Sequence, residues 1–206
     1  MMFKQTLIAT AIILAPMTAM AGGSVDVFYV DNEADVNALG INNDDGNGFG
    51  FRGLAELGNG FSATGLYQNT DIDVTGATVD ITETRVGLAY TRKMSDQCSV
   101  TANLETAQID LTVSGNAQES VDGYSAGLRG DMHVIDNLSV YAKVAYTDLG
   151  SVGGDDVKGP EYEAGMLYSI NKNLGAFVEY RVLDLKIDNN GDATLNTLRI
   201  GGRYTF

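Results

Sequence analysis

The chain has 206 residues, of which 27 are acidic and 13 basic, and its formal net charge is −14. This balance argues against a nucleic-acid-binding protein, because phosphate would be repelled. The single cysteine, Cys98, excludes an internal disulfide, so stability must come from backbone hydrogen bonds and packing. Glycine is abundant (25 residues) and proline scarce (two), which suits long strands joined by tight turns.

The first 21 residues read as a secretory signal peptide. Lys4 supplies the positive charge, residues 7–14 form an apolar run, and Ala19-Met20-Ala21 is a small-x-small cleavage site. The run is well short of the roughly 20 apolar residues that a membrane helix needs. We therefore expect residues 1–21 to be removed on export and residues 22–206 to form the mature domain. Removal of Lys4 leaves 12 basic residues against 27 acidic ones, a net charge of 12 − 27 = −15.

Ten segments of the mature chain alternate between apolar and polar residues with the period of two that is typical of β-strands. They are predicted at about 24–31, 48–57, 61–70, 82–92, 98–109, 121–132, 138–148, 160–170, 174–183 and 195–206. Each is about long enough to cross a bilayer at a tilt.

The last segment is the most informative one. Leu198, Ile200, Tyr204 and Phe206 fall on one face, and Arg199 and Arg203 fall on the other. An ordinary protein core would bury these arginines among apolar groups. A wall between lipid and a polar interior accommodates both faces.

The predicted connections alternate in length. Short turns are expected at 58–60, 93–97, 133–137 and 171–173, and longer loops at 32–47, 71–81, 110–120, 149–159 and 184–194. Outer-membrane barrels have short periplasmic turns and longer external loops, and an even strand number returns both termini to the periplasm. The sequence therefore predicts an all-β fold, a closed antiparallel up-and-down transmembrane β-barrel of ten strands. Eight strands is the alternative, because the first segment has the weakest pattern.

Aromatic residues at the two ends of the apolar faces support this fold. One predicted belt comprises Tyr67, Tyr124, Tyr146, Tyr162 and Tyr180, and the other comprises Phe61, Tyr90, Tyr168, Tyr204 and Phe206. Two aromatic belts are typical of a barrel in lipid. A soluble β-sandwich would share the alternation. The signal peptide, the unequal connections and the terminal phenylalanine favour the barrel.

With its AMA-ended signal, alternating segments and RYTF terminus, the chain resembles the small outer-membrane β-barrels of Gram-negative bacteria, in the OmpA-like and OmpX-like porin-family superfamily. The resemblance implies a place in the cell outer membrane, among outer-membrane lipid and lipopolysaccharide. It also implies that Tyr204 and Phe206 form an assembly signal for the barrel-insertion machinery. Ten strands would depart from the usual eight of that group.

The alternation directs many charged side chains into the barrel lumen. The inward cations are Arg52, Arg85, Arg129, Lys143, Arg181, Arg199 and Arg203, and the inward anions are Asp26, Glu56, Glu83, Glu105, Asp131, Glu161, Glu163 and Glu179. In a narrow barrel such charges must pair or form hydrogen bonds. We expect an ion-pair network that fills the lumen; a narrow path for solutes or ions is the alternative.

The longer connections are strongly acidic, with only Lys158 and Lys186 as bases. Solubility is the simpler explanation, and divalent cations shared with lipopolysaccharide phosphates are the functional one. Oxygen ligands at alternate positions make weak cation candidates of Asp44 and Asp45 in one loop and of Asp188, Asn190 and Asp192 in another. Neither stretch has EF-hand spacing, so we predict no metal site.

The sequence offers little for catalysis. The one histidine, His133, is placed in a short turn, and Ser139 is expected to point along the next strand, away from it. The pattern G-x-S-x-G occurs as Gly123-Tyr124-Ser125-Ala126-Gly127, but it lies inside the predicted strand at 121–132 and not at the strand-to-helix turn of a nucleophile elbow. We predict a non-enzymatic outer-membrane barrel without a cofactor, with a structural or surface-interaction role and an unidentified extracellular ligand. The alternative is a narrow porin-like channel.

Overall fold

Ten antiparallel strands close into one barrel in the computed structural model, which describes residues 22–36, 41–74, 77–113, 117–152, 155–188 and 191–206. In chain order the strands are β1 Gly23–Val36, β2 Ile41–Gly58, β3 Phe61–Val74, β4 Ala77–Lys93, β5 Cys98–Val113, β6 Ala117–Ile135, β7 Leu138–Val152, β8 Asp155–Ser169, β9 Leu174–Ile187 and β10 Gly191–Thr205. The predicted all-β barrel and its strand number, ten rather than eight, are confirmed.

Every strand pairs with its neighbours in the chain, and β10 returns to pair with β1. On β1, Asp26 lies opposite Arg203 of β10 on one side and opposite Arg52 of β2 on the other. Such closure leaves no strand edge, so each strand satisfies its backbone donors and acceptors within the wall, as the bilayer interior requires. Among the described residues, no helix has the length and apolar character needed to cross a membrane.

The first and last described residues, Gly22 and Phe206, lie at the same end of the barrel, which we call the terminal end; the opposite end is the distal end. Four tight connections also lie at the terminal end. In the β2–β3 hairpin, Gly58, Asn59 and Gly60 all have positive φ (91°, 54° and 84°), which Gly and Asn tolerate best. In the β8–β9 turn, Asn171 Oδ1 accepts hydrogen bonds from the backbone N–H groups of Asn173 and Leu174, both at 2.9 Å.

The prediction of long loops at the other end is wrong. Most residues assigned to them continue the strands, which reach 14 to 19 residues. The alternation persists through these stretches, but its polarity reverses. On β3, Tyr67 faces outward and Gln68 faces the lumen, whereas farther along Asp71 faces outward and Ile72 is completely buried. The sequence prediction placed apolar residues on the outward face of every strand, so the predicted strands end where the outward residues become acidic.

We call the part of the barrel beyond this reversal the distal extension. It comprises residues 31–36, 41–47, 69–74, 77–82, 106–113, 117–123, 147–152, 155–160, 183–188 and 191–197. Its interior is a continuous apolar core formed by Ala34, Ile72, Val79, Ile81, Ala107, Ile109, Leu149, Val157, Leu183, Leu185 and Ala193. Its outer wall carries aspartates such as Asp71, Asp73 and Asp188. An acidic wall around an apolar core is the arrangement of a barrel in water, so the extension stands clear of the hydrocarbon.

Below the extension, the outer wall is apolar and exposed. Phe49, Leu104 and Leu88 have 70%, 60% and 57% of their surface uncovered, as lipid-facing side chains do. The apolar faces run from Phe49 to Leu57 on β2 and from Leu174 to Val182 on β9, close to the roughly 9–11 residues that span a bilayer. This part of the barrel is the membrane zone.

The packing of the distal extension predicts a large loss of stability on truncation. Leu183 is completely buried in its core, so Leu183→Ala should lower the free energy of unfolding by about 2–5 kcal/mol. Urea unfolding of the protein folded in detergent measures the change. The neighbouring Asp184→Ala is the control and should have a small effect. An equally small effect of Leu183→Ala would mean that the distal interior is not a packed core.

Candidate functional site

Charged side chains from eight of the ten strands meet inside the membrane zone. They form two clusters, each with three cations and three anions. The Asp26 cluster contains Asp26, Arg52, Glu163, Glu179, Arg199 and Arg203, and the Glu161 cluster contains Glu83, Arg85, Glu105, Lys143, Glu161 and Arg181. All twelve are residues that the sequence directs into the lumen.

Asp26 organises the first cluster by holding two guanidinium groups. Arg203 donates from Nε and Nη2 to the two carboxylate oxygens at 2.7 and 2.8 Å, and Arg52 Nε donates at 2.9 Å. Arg52 Nη1 also reaches Glu179 at 2.9 Å, and Glu179 in turn accepts a hydrogen bond from Arg199. Asp26 and Glu179 are almost completely buried, so these bonds replace the water that both carboxylates have lost.

Glu161 is the centre of the second cluster. It accepts a hydrogen bond from Lys143 Nζ at 2.9 Å, and its other oxygen lies 2.7 Å from Arg85 Nη2. Glu83 lies on the far side of Arg85, 2.6 Å from its Nε, and also accepts from Arg181 Nη1 at 2.8 Å. Carboxylates and cations thus alternate through the cluster, so each buried charge has partners of opposite sign.

Gln68 joins the two clusters. Its side-chain oxygen accepts a hydrogen bond from Arg199 Nε at 2.9 Å, and its amide nitrogen donates to Glu83 at 3.0 Å. Tyr141 is a second uncharged member, and its hydroxyl donates to Glu179. The sequence did not predict these two residues as members of the network, because the prediction considered only charged side chains. Their inward positions, flanked by inward charges on the neighbouring strands, are the signal that identifies them.

The remaining predicted lumen residues lie nearer the terminal end. Arg129 holds Asp131 with Nε and Nη2, at 2.9 and 2.7 Å from Oδ1, and lies 3.7 Å from the centroid of the Tyr141 ring. Glu56 differs from the other residues of the set. It is exposed at the terminal rim, and no described cation lies within ion-pair distance of it.

Toward the distal end, the charged clusters give way first to neutral polar groups and then to the apolar core. In the neutral layer, Asn32 donates to Thr70 at 2.9 Å and Thr147 donates to Ser125 at 3.1 Å, and all four residues are buried. Three kinds of packing therefore fill the lumen in succession: ion pairs, neutral hydrogen bonds and aliphatic side chains.

Toward the terminal end, by contrast, the lumen holds a cavity of about 550 Å³. We call it the terminal vestibule. Its mouth is lined by Ser99, Thr101, His133 and Ser139, and its floor includes Arg52, Lys143 and Arg203. This volume lies within the range of small-molecule sites, roughly 300–1,000 Å³. The vestibule therefore has room for a ligand.

His133 and Ser139 lie opposite each other at the vestibule mouth, which corrects the expectation that Ser139 points away. Their side chains are joined by a hydrogen bond of 2.7 Å between Nδ1 and Oγ. The nearest inward carboxylate along β6, Asp131, is occupied by Arg129. The pair therefore lacks the arrangement in which a free carboxylate orients a histidine base for a serine nucleophile.

The outer wall of the distal extension contains like charges placed side by side. Asp71 of β3 lies directly opposite Asp80 of β4, and Glu33 of β1 lies opposite Asp45 of β2. A hydrogen bond between the Asp71 and Asp80 side chains, together with their mutual repulsion, raises the pKa of Asp71 above its ordinary value. The two carboxyl groups thus resist being ionised together.

The weak cation candidates are dispersed on this wall. Asp44 and Asp45 lie on β2, Asp188 follows β9 and Asp192 lies on β10, whereas Asn190 is outside the described residues. Across the described parts of the chain, no group of three or more His, Cys, Asp or Glu side chains is placed to hold a metal ion.

Comparison with known families agrees with this architecture. Residues 7–206 match the model of the outer membrane protein beta-barrel domain. The chain belongs to this family. Its place is therefore the outer membrane, with lipid around the membrane zone. A search of curated proteins found no match to the chain.

Solved structures share the fold at low sequence identity. An outer membrane channel from Pseudomonas putida F1 is 13% identical, with a TM-score of 0.54 over 90% of this chain and 96% of that one. The beta domain of the Bordetella autotransporter BrkA is 14% identical, with a TM-score of 0.52 over 90% and 100% of the two chains. Neisserial surface protein A is 10% identical, with a TM-score of 0.50 over 89% and 97%. At these identities the likeness concerns the barrel alone.

Removing one charge from the Glu161 cluster should lower the stability of the barrel. Glu161→Gln removes the carboxylate that lies against Arg85, Lys143 and Arg181 and leaves the three cations of the cluster with two anions, Glu83 and Glu105, so we expect the free energy of unfolding to fall by about 3–5 kcal/mol. Urea unfolding in detergent measures the loss. Asp156→Asn is the matched control, because its ion pair with Lys158 is exposed on the wall and should contribute little. Equal effects of the two substitutions would contradict the network.

The Asp71–Asp80 pair predicts that replacing one of its carboxylates stabilises the barrel, and that this stabilisation depends on pH. Because the pKa of Asp71 is raised in the folded barrel, the cost of ionising both groups is present at neutral pH and disappears on acidification. We expect Asp80→Asn to stabilise the barrel by about 0.2–0.5 kcal/mol at pH 7, a value kept small by solvent screening. The gain should vanish near pH 3, because the raised pKa of Asp71 keeps its carboxyl group protonated there. Urea unfolding at both pH values measures the stabilisation. A stabilisation by Asp80→Asn that is the same at pH 7 and pH 3 would contradict repulsion between the two carboxylates.

Proposed function

We propose that this protein is a non-enzymatic outer-membrane barrel with a closed lumen, whose acidic distal extension serves a structural or surface-interaction role. The filled lumen is the observation that carries the proposal. Ion pairs, neutral hydrogen bonds and aliphatic packing follow one another along the axis, with completely buried members such as Thr70 and Leu183. A solute crossing the barrel would have to displace all three layers.

The proposal assigns an orientation. The terminal end faces the periplasm and the distal extension faces the cell exterior, as in barrels whose termini are periplasmic. Residues 1–21 serve as the export signal and are removed. Tyr204 and Phe206 act as the assembly signal for the insertion machinery. The backbone of Phe206 supports this role, because it exchanges two hydrogen bonds with Gly23 (3.1 and 3.3 Å) at the seam where the barrel closes.

The outer wall indicates what the extension meets. It rises directly above the lipid and carries aspartates on successive outward positions, such as Asp71 and Asp73 on β3. In the outer leaflet, this height is occupied by the phosphate-bearing part of lipopolysaccharide. We propose that the acidic wall approaches these phosphates through shared divalent cations. The same charge keeps the extension soluble beyond the membrane.

The closed lumen predicts an electrically silent barrel. Wild-type protein reconstituted in planar bilayers should give no steady single-channel openings, in contrast to a general porin reconstituted in parallel. Glu105→Gln and Arg129→Gln should remain silent, because the distal core lies beyond both residues and is unaffected. Steady wild-type openings whose conductance changes in either variant would contradict the proposal and support the channel.

A further inference from the structure

The floor of the terminal vestibule carries a row of three charged residues on neighbouring strands. Arg203 of β10, Asp26 of β1 and Arg52 of β2 are direct partners in the strand register. Asp26 binds both guanidinium groups, so it holds them side by side on one stretch of the wall. The position of two guanidiniums is thus fixed by the barrel before any ligand arrives.

The row is polarised toward the vestibule. The side chains of Arg52 and Arg203 remain 19% and 20% exposed, whereas Asp26 is 1% exposed and Glu179 is completely buried. The two guanidinium groups are therefore more exposed to the cavity than the carboxylates of Asp26 and Glu179 that balance them, while Glu56, Glu105 and Asp131 line other parts of its wall. The aromatic ring of Phe177 supports both arginines, with guanidinium carbons 5.5 and 6.0 Å from its centroid.

One guanidinium has an unused donor. Arg52 donates a hydrogen bond from Nε to Asp26 and another from Nη1 to Glu179. Its buried Nη2 has no hydrogen-bond partner within the described structure. A buried charged donor without a partner is costly, and because less than 1 Å² of Nη2 is accessible, a ligand oxygen reaches it only if the Arg52 guanidinium turns toward the vestibule. Arginine pairs are suited to oxyanions, because their planar groups donate parallel hydrogen bonds.

We propose that Arg52 and Arg203 form an anion-binding site in the terminal vestibule, for a small oxyanion bearing carboxylate or phosphate groups. The cavity of about 550 Å³ accommodates such a molecule beside hydroxyl groups of Ser24 and Thr64. The ligand enters and leaves through the vestibule mouth, because the lumen is packed beyond the charged clusters. The site is independent of the acidic outer wall and of the surface role proposed for it.

Equilibrium dialysis of the full mature barrel, folded in a non-ionic detergent at low ionic strength, tests the site. The two probes are radiolabelled inorganic phosphate and radiolabelled succinate, which separate a phosphate ligand from a carboxylate ligand. We expect saturable binding of at least one probe, with one molecule per barrel. Arg52→Gln and Arg203→Gln should each weaken it at least tenfold. Lys186→Gln on the outer wall is the control and should leave it unchanged.

Asp26→Asn separates binding from general damage. Asparagine keeps a side-chain oxygen that holds the two guanidiniums, but it lacks the negative charge that competes with the ligand, so the affinity should rise several-fold, opposite to the effect of a disturbed barrel. Heat-modifiable gel migration identifies the variants that remain folded, and only these are compared. The proposal is overturned if neither probe binds saturably at concentrations below roughly 10 mM, which is already weak binding. It is also overturned if both folded arginine variants bind the probe as tightly as wild type does. Weaker binding by folded Asp26→Asn would overturn it as well.

Discussion

The closed ladder of backbone hydrogen bonds is the constraint on which the rest of the structure depends. Hydrocarbon offers no partner to an N–H or C=O group, so the wall has to join β10 to β1 without leaving an edge. Closure also creates an inside that the chain must fill. The Asp26 row lies on the seam itself, where ion pairs across β10, β1 and β2 reinforce the pairing of the first and last strands.

A second constraint acts along the axis, because one wall passes through two solvents. In the membrane zone the outside is apolar and the buried charges pair inside, whereas in the distal extension aspartates face out and aliphatic groups pack inside. Leu104 and Ile109 of the same strand show the exchange: the first is 60% exposed toward lipid and the second is buried in the lumen. The barrel thus has a lipid-facing part and a water-facing part. Its lumen is packed by ion pairs in the first part and by aliphatic side chains in the second.

The sequence was sufficient for the features that follow from a period of two. It predicted ten strands, the barrel and the inward direction of Arg199 and Arg203, because alternation fixes which side each residue faces. It failed for the distal extension, where Asp71 and Ile72 reverse the polarity that defined a strand. Partners could not be predicted either. That Asp26 holds two arginines, or that Ser139 meets His133, depends on the stagger between strands, which a single chain does not reveal.

Spin labels placed one by one along β3, in a Cys98→Ala background in liposomes, test the reversal most directly. Labels at outward positions 63 and 67 should collide with lipid-soluble oxygen, and labels at 71 and 73 with a water-soluble nickel chelate. A label at position 72 should be protected from both. Oxygen-dominated relaxation at 71 and 73, or chelate access at 72, would contradict the account, because the wall would then face a single solvent throughout.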